Sequence, residues 1–274
     1  MTACPTAPGP LALVGSGEYL PEMAALDGEL LAGRPARFVQ LATAAVPDGP
    51  AVVARWHALG RTQAERLGVR ATILPVATRA DARDPEIVAA VAGAGLIYLS
   101  GGHPGFLADT LRATPLWAAI VAAWRAGAAL AGCSAGAMAL AARVPAVRTP
   151  AETAGLALLP HLRVIPHYDA FAARRPELVA RLRTGDEPGV TVVGIDELTA
   201  LVGGPEHFRV EGRGAAWILA DRSAIRCGAG TSVTIPTTGA DGAAPRQRSG
   251  NVASAEEACG IGTAAVRPDR RADA

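Results

Sequence analysis

The sequence contains no lysine: all 26 of its basic residues are arginine. Schiff-base chemistry and a Ser-Lys dyad are excluded, because both need a primary amine. Set beside the heavy alanine content, this bias reads as a GC-rich coding sequence, not as a design for phosphate binding. An excess of one charge is missing too. The 25 acidic residues nearly balance the basic ones, leaving a formal net charge of +1. No bulk attraction toward nucleic acid or a membrane surface is expected. Cysteine is sparse, at Cys4, Cys133, Cys227 and Cys259, and no two are spaced as a metal knuckle or a redox pair. Neither a metal nor a cofactor is expected, and the chain reads as reduced and cytoplasmic. The N-terminus lacks the basic region of a signal peptide. No apolar stretch of membrane-spanning length is free of breakers.

What is present is apolar content, 50% of 274 residues. That fills the core of one large α/β domain or two small ones. Leu11 to Val14, Phe38 to Ala42, Ala71 to Val76, Leu96 to Leu99 and Ala128 to Ala131 read as buried strands. Helical stretches separate them, at Glu18 to Ala32 (broken near Pro21), Pro50 to Leu67, from Asp84 on, Phe106 to Ala113 and Leu116 to Ala126. Asp84 suits an N-cap with Pro85 at the first helical position. Strand–helix alternation with near-continuous apolar strands predicts a parallel sheet covered on both faces. After Ala142 the pattern changes. Val144 to Ala154 reads as a loop, Leu162 to Ile165 and Val190 to Ile195 as strands, and Ala170 to Arg183 as an arginine-rich helix between them. Thr199 to Val202, Phe208 to Val210 and Ala215 to Leu219 read as short strands of an antiparallel edge, which could pair two copies into a homodimer. The domain is placed at 1–236. From Thr237 the chain is too poor in large apolar residues to bury itself, and a disordered tail is expected over 237–274.

The densest signal is Gly132-Cys133-Ser134-Ala135-Gly136-Ala137. A strand feeds into it and an alanine-rich helix leaves it, as in a nucleophile elbow, where G-x-S-x-G turns so tightly that the flanking residues must be small. Ser134 is the candidate nucleophile. Cys133 is its rival, but the glycines flank Ser134 symmetrically, which leaves Cys133 as the last strand residue facing the core. Backbone N–H groups of Gly102, in the turn closing the preceding strand, and of Ala135 could converge on one oxygen as an oxyanion hole. His103 could line the same pocket. Among His57, His103, His161, His167 and His207, His167 is the candidate base, because it follows a strand and lies downstream of the elbow. For the acid that orients it, Glu197 ends the next strand and ranks over Asp169, with Asp196 and Glu152 behind. Arg174 and Arg175, two helical turns past His167, could clamp a substrate carboxylate.

Taken together, these residues resemble the aspartyl dipeptidase (peptidase E) and cyanophycinase family of serine peptidases, within the class I glutamine amidotransferase-like superfamily. The likeness spans roughly Leu11 to Leu219. It is carried by Gly15-Ser16-Gly17-Glu18, Leu41-Ala42-Thr43-Ala44, Gly101-Gly102, the elbow, Pro166-His167-Tyr168-Asp169 and Gly194-Ile195-Asp196-Glu197-Leu198-Thr199-Ala200-Leu201. The resemblance implies a flavodoxin-like three-layer sandwich, a serine nucleophile at Ser134, a histidine at His167 and no metal. It also implies cleavage of small peptides next to an acidic residue, aspartate in particular. His103-Pro104 departs from the acidic or amide pair that follows the double glycine in cyanophycinases. The alternatives are an amidotransferase-like enzyme using Cys133, or a catalytically silent binding protein of the same fold.

Overall fold

The computed structural model describes residues 7–146, 151–183, 188–220, 223–237 and the pair Gln247–Arg248. The first half alternates as expected: β1 (Leu11–Val14), α1 (Ala24–Leu31), β2 (Arg37–Leu41), α2 (Pro50–Arg66), β3 (Arg70–Leu74), α3 (Pro85–Ala89), β4 (Leu96–Leu99), α4 (Pro104–Leu111), α5 (Pro115–Arg125), β5 (Ala129–Cys133) and α6 (Ala135–Ala139). Proline opens α2, α3, α4 and α5, where its missing N–H costs nothing. Asp84 caps α3, its carboxylate accepting from the N–H groups of Glu86 and Ile87.

The second half reads β6 (Arg143–Val144), β7 (Thr153–Ala154), β8 (Leu162–Ile165), α7 (Tyr168–Arg174), α8 (Pro176–Arg183), β9 (Thr191–Ile195), β10 (Thr199–Gly203), β11 (His207–Gly212), β12 (Ala215–Leu219), β13 (Ala224–Gly228), β14 (Ser232–Thr234) and β15 (Gln247–Arg248). The expected loop at Val144 to Ala154 contains the β6–β7 pair at its ends, and 147–150 lie outside the described residues. The expected single helix from Ala170 to Arg183 is two, because Pro176 starts a new one.

A nine-stranded sheet runs β15-β14-β11-β10-β1-β5-β4-β2-β3. The five strands from β1 to β3 in that order are mutually parallel, and β10, β11, β14 and β15 extend the sheet antiparallel. The fold is thus the expected flavodoxin-like α/β sandwich with an antiparallel edge. Side chains alternate across the sheet. Leu11, Leu13, Ile97, Leu99 and Leu130 enter one core with α4, α5 and α6. Ala12, Val14, Leu96, Tyr98, Ala131 and Cys133 enter the other with α1 and α2.

The departure lies in β8, β9 and β12. They do not extend the central sheet but form a second one, ordered β13-β12-β9-β8. Leu162, Val164, Val193, Ile195 and Ile218 pack one of its faces into the larger core. Its other face packs against α7 and α8 through Ile165, Tyr168, Val179, Leu182 and Leu219. The strands at Phe208 to Leu219, expected to offer open edges, do not. Here β11 lies between β10 and β14, and β12 between β9 and β13. Of the tail expected from Thr237 onward, Thr237 donates its N–H and hydroxyl to Glu206, and Gln247–Arg248 pairs with β14. The remainder lies outside the described residues. No single described helix is long and apolar enough to cross a membrane.

The α1–α2 side of the sheet buries a carboxyl. Asp27, fully buried on α1, accepts at 2.7 Å from the Gln63 side-chain amide on α2. Burial pushes its pKa from 3.8 up to about 7. Between these values the folded state holds a proton that the unfolded chain has released, so stability falls as pH rises. Three pH units at about 1.4 kcal/mol each put the loss on the order of 4 kcal/mol. Asp27→Asn keeps an acceptor for Gln63 and removes the titration. Its denaturation midpoint, relative to the native protein, should rise steadily from pH 4 to pH 7. Parallel pH profiles for the two proteins would contradict the shift.

Candidate active site

β5 delivers Ser134 into a turn that few residues tolerate. Its φ of 48° and ψ of −105° lie in a sparsely populated region, at a cost of about 1–3 kcal/mol. The flanking residues must be glycine because backbones touch there. A Cβ on Gly132 would lie 2.6 Å from the carbonyl carbon of Gly136, and one on Gly136 would lie 2.3 Å from the Leu99 oxygen. The turn lifts the Ser134 side chain out of the core. Cys133, one residue earlier, is wholly buried on the α1–α2 side of the sheet. Burial raises its thiol well above the ordinary range, and it presents no thiolate to the cavity.

His167 follows β8 in a left-handed conformation, with φ 50°, which turns its ring toward the central sheet. Nε2 lies 3.0 Å from Ser134 Oγ, and Nδ1 lies 2.9 Å from Glu197 Oε1. With the carboxylate as acceptor, the ring proton belongs on Nδ1, which leaves Nε2 to accept from the serine hydroxyl. Glu197 comes from the bend where the chain leaves β9 of the second sheet for β10 of the central one.

The other acids do different work. Asp169 Oδ1 accepts at 3.0 Å from the Glu197 N–H, so it holds the backbone of the residue that meets the imidazole. Asp196 accepts from the Ala215 N–H and the Trp217 indole N–H. Glu152 pairs with Arg143 and Arg163.

A cavity of about 350 Å³ opens over Ser134, lined by Glu18, Asp48, Trp56, Gly102, Ala135, Met138, His167 and Phe171, among others. Gly102 has φ 139°, and a Cβ there would lie 2.3 Å from the Ala44 oxygen. Ala135 opens α6, so its N–H has no acceptor within that helix. Among the described residues, no hydrogen bond takes up the N–H of Gly102 or of Ala135. Both sit on the cavity wall as donors without acceptors.

The expected lining residues are placed differently. His103 caps α4 and turns its Nε2 to Asp48 at 2.8 Å, so Asp48 lines the cavity in its place. Arg174 and Arg175 do not reach the Ser134 cavity. They line an adjoining one of about 470 Å³ with Phe171, Leu178 and Glu197, and His167 borders both. Neither guanidinium has a hydrogen bond or ion pair among the described residues. His57 borders a separate groove beside α2, His161 is buried against the Pro205 carbonyl, and His207 pairs with Thr234. Glu18 and Asp48, which line the cavity, are functional candidates that the sequence alone does not identify. The glycine-rich end of β1 was the available signal for Glu18. Among the described residues, no group of three or more His, Cys, Asp or Glu is placed to hold a metal ion.

The model of the peptidase family S51 matches residues 29–210. Among solved structures, a peptidase from an acI-B1 actinobacterium superposes with a TM-score of 0.77 at 40% identity, covering 85% of this chain and 100% of that one. A putative peptidase E protein from Listeria monocytogenes EGD-e superposes with a TM-score of 0.53 at 18% identity, covering 81% and 99%, and speaks for the fold alone. No curated protein matches the chain.

Proposed function

Since the chain belongs to peptidase family S51 and is a serine-type peptidase, we propose that it cleaves small peptides next to aspartate through an acyl-enzyme, with Ser134, His167 and Glu197 as its triad. The observation that carries this reading is the unbroken hydrogen-bond chain from Ser134 through His167 to Glu197, open to a cavity at its serine end. Ser134 Oγ attacks the scissile carbonyl carbon while its proton passes to His167 Nε2. Charge building on the carbonyl oxygen is met by the N–H groups of Gly102 and Ala135, the latter at a helix N-terminus. His167 gives the proton to the departing amine. Water then attacks the ester, with His167 as base, and frees the acid and Ser134. Glu197 stabilises the imidazolium at both stages.

Size and charge support a small acidic substrate. A cavity of about 350 Å³ suits a short peptide rather than a folded chain. Arg174 and Arg175, with no partner among the described residues, stand ready in the adjoining space for a carboxylate. The test is a panel of Asp-Xaa dipeptides and β-aspartyl peptides beside neutral controls. The acidic set should turn over. Replacing both Arg174 and Arg175 with alanine should raise KM by about 10- to 100-fold with kcat nearly unchanged, as for lost uniform binding. Inactivity toward every Asp and Glu peptide would sink the specificity.

A further inference from the structure

A largely buried carboxylate stands beside the nucleophile, on the wall of the same cavity. Glu18, 8% exposed, lies in the loop after β1. Its Oε1 accepts from the Gly101 N–H at 2.9 Å, and its Oε2 accepts from the Cys133 thiol at 2.7 Å. No cation pairs with it among the described residues. Because the strands lie in the order β1-β5-β4, this one side chain spans the carboxyl ends of all three. A carboxylate taken out of water is costly unless its oxygens are satisfied, and here each oxygen takes one donor, from Gly101 and from Cys133.

Gly101 is gripped between this carboxylate and the serine. A Cβ on Gly101 would lie 2.8 Å from Glu18 Oε1 and 3.5 Å from Ser134 Cβ. The next residue is Gly102, which lines the cavity and whose N–H has no acceptor among the described residues. Oxyanion donors act only when aimed within about 2.7–3.1 Å of the developing charge. The geometry points to Glu18 as a positioning residue that fixes the Gly101-Gly102 turn and thereby aims the Gly102 N–H at the oxygen of the reacting carbonyl. This rests on Ser134 as nucleophile, but not on which peptide is cleaved.

The test compares Glu18→Met, which fills the space without an acceptor, with Glu18→Gln, which keeps one for Gly101. Two rates are read in each: peptide hydrolysis, split into kcat and KM, and covalent labelling of Ser134 by a fluorophosphonate. The labelling reagent places its own phosphoryl oxygen at the same donors and needs no peptide. Glu18→Met should lose about 10²–10³ in kcat and in labelling rate, as for a lost oxyanion donor, with KM within about threefold. Glu18→Gln should recover both rates to within about tenfold of native. If Glu18→Met does not fold, Glu18→Ala replaces it, with added formate expected to restore labelling. Native rates in Glu18→Met, a change in KM alone, a Gln variant as impaired as Met, or no recovery with formate would each overturn the assignment. Native protein that is labelled yet cleaves no acidic peptide would overturn the substrate reading and leave this test intact. Native protein that is not labelled would overturn both.

Discussion

Ser134→Ala should reduce kcat by about 10⁶, leaving only what binding and the oxyanion donors supply. The variant should fold as the native protein does, because the Oγ makes its one hydrogen bond to His167 and none that holds the fold. The strained turn is set by the backbones of Gly132, Gly136 and Leu99, not by the hydroxyl. Substrate affinity should survive, so a peptide held by the variant can be measured by calorimetry while its turnover is lost. Fluorophosphonate labelling should vanish with it. Cys133→Ala should keep both activities to within about tenfold, the loss being that of one hydrogen bond to Glu18, since the wholly buried thiol is not the attacking group. Undiminished turnover in Ser134→Ala would remove the nucleophile.

Glu197→Gln should cost about 10³–10⁴ in kcat with little change in KM. The amide keeps the shape of the carboxylate, but it can present its NH₂ to Nδ1 and drive the ring into the tautomer that holds a proton on Nε2. That nitrogen can then no longer accept from Ser134. Asp169→Asn should cost far less, because among the described residues Asp169 accepts from the N–H groups of Glu197 and of its own neighbour Ala170 and not from the ring. Equal losses in the two variants, or a larger loss at Asp169, would reverse the assignment of the acid.

Local features were legible in the sequence. The elbow is confined to a few consecutive residues whose smallness is enforced by contacts within the turn and with β4, so Ser134 can be read directly. His167 follows the same logic at the end of β8. The choice between Glu197 and Asp169 could not be made from spacing. Asp169 sits in the first turn of α7 and Glu197 in the turn after β9, and the outcome depends on the left-handed twist at His167. The second sheet was hidden for a related reason. Leu162 to Ile165 and Thr191 to Ile195 are buried runs that read alike whether they join the central sheet or stack on it, and strand pairing is a long-range choice. Arg174 and Arg175 were seen as charges near the histidine. The cavity they line is closed by Leu178 of α8, which lies past the break at Pro176. Glu18 lay in plain view after the first strand, but its partners, Gly101 and Cys133, are more than 80 residues away.

The division of the fold into two sheets has a consequence for the reacting groups. On the proposed mechanism, the attacking oxygen is fastened to the central sheet and the ring that takes its proton to the second. Their separation of 3.0 Å is therefore a measure of alignment between the two sheets. A slip of about an ångström along that seam, too slight to melt either sheet, would silence the chemistry. Val164, Ile195 and Ile218, which pack the second sheet into the larger core, thus act as spacers whose bulk sets this distance.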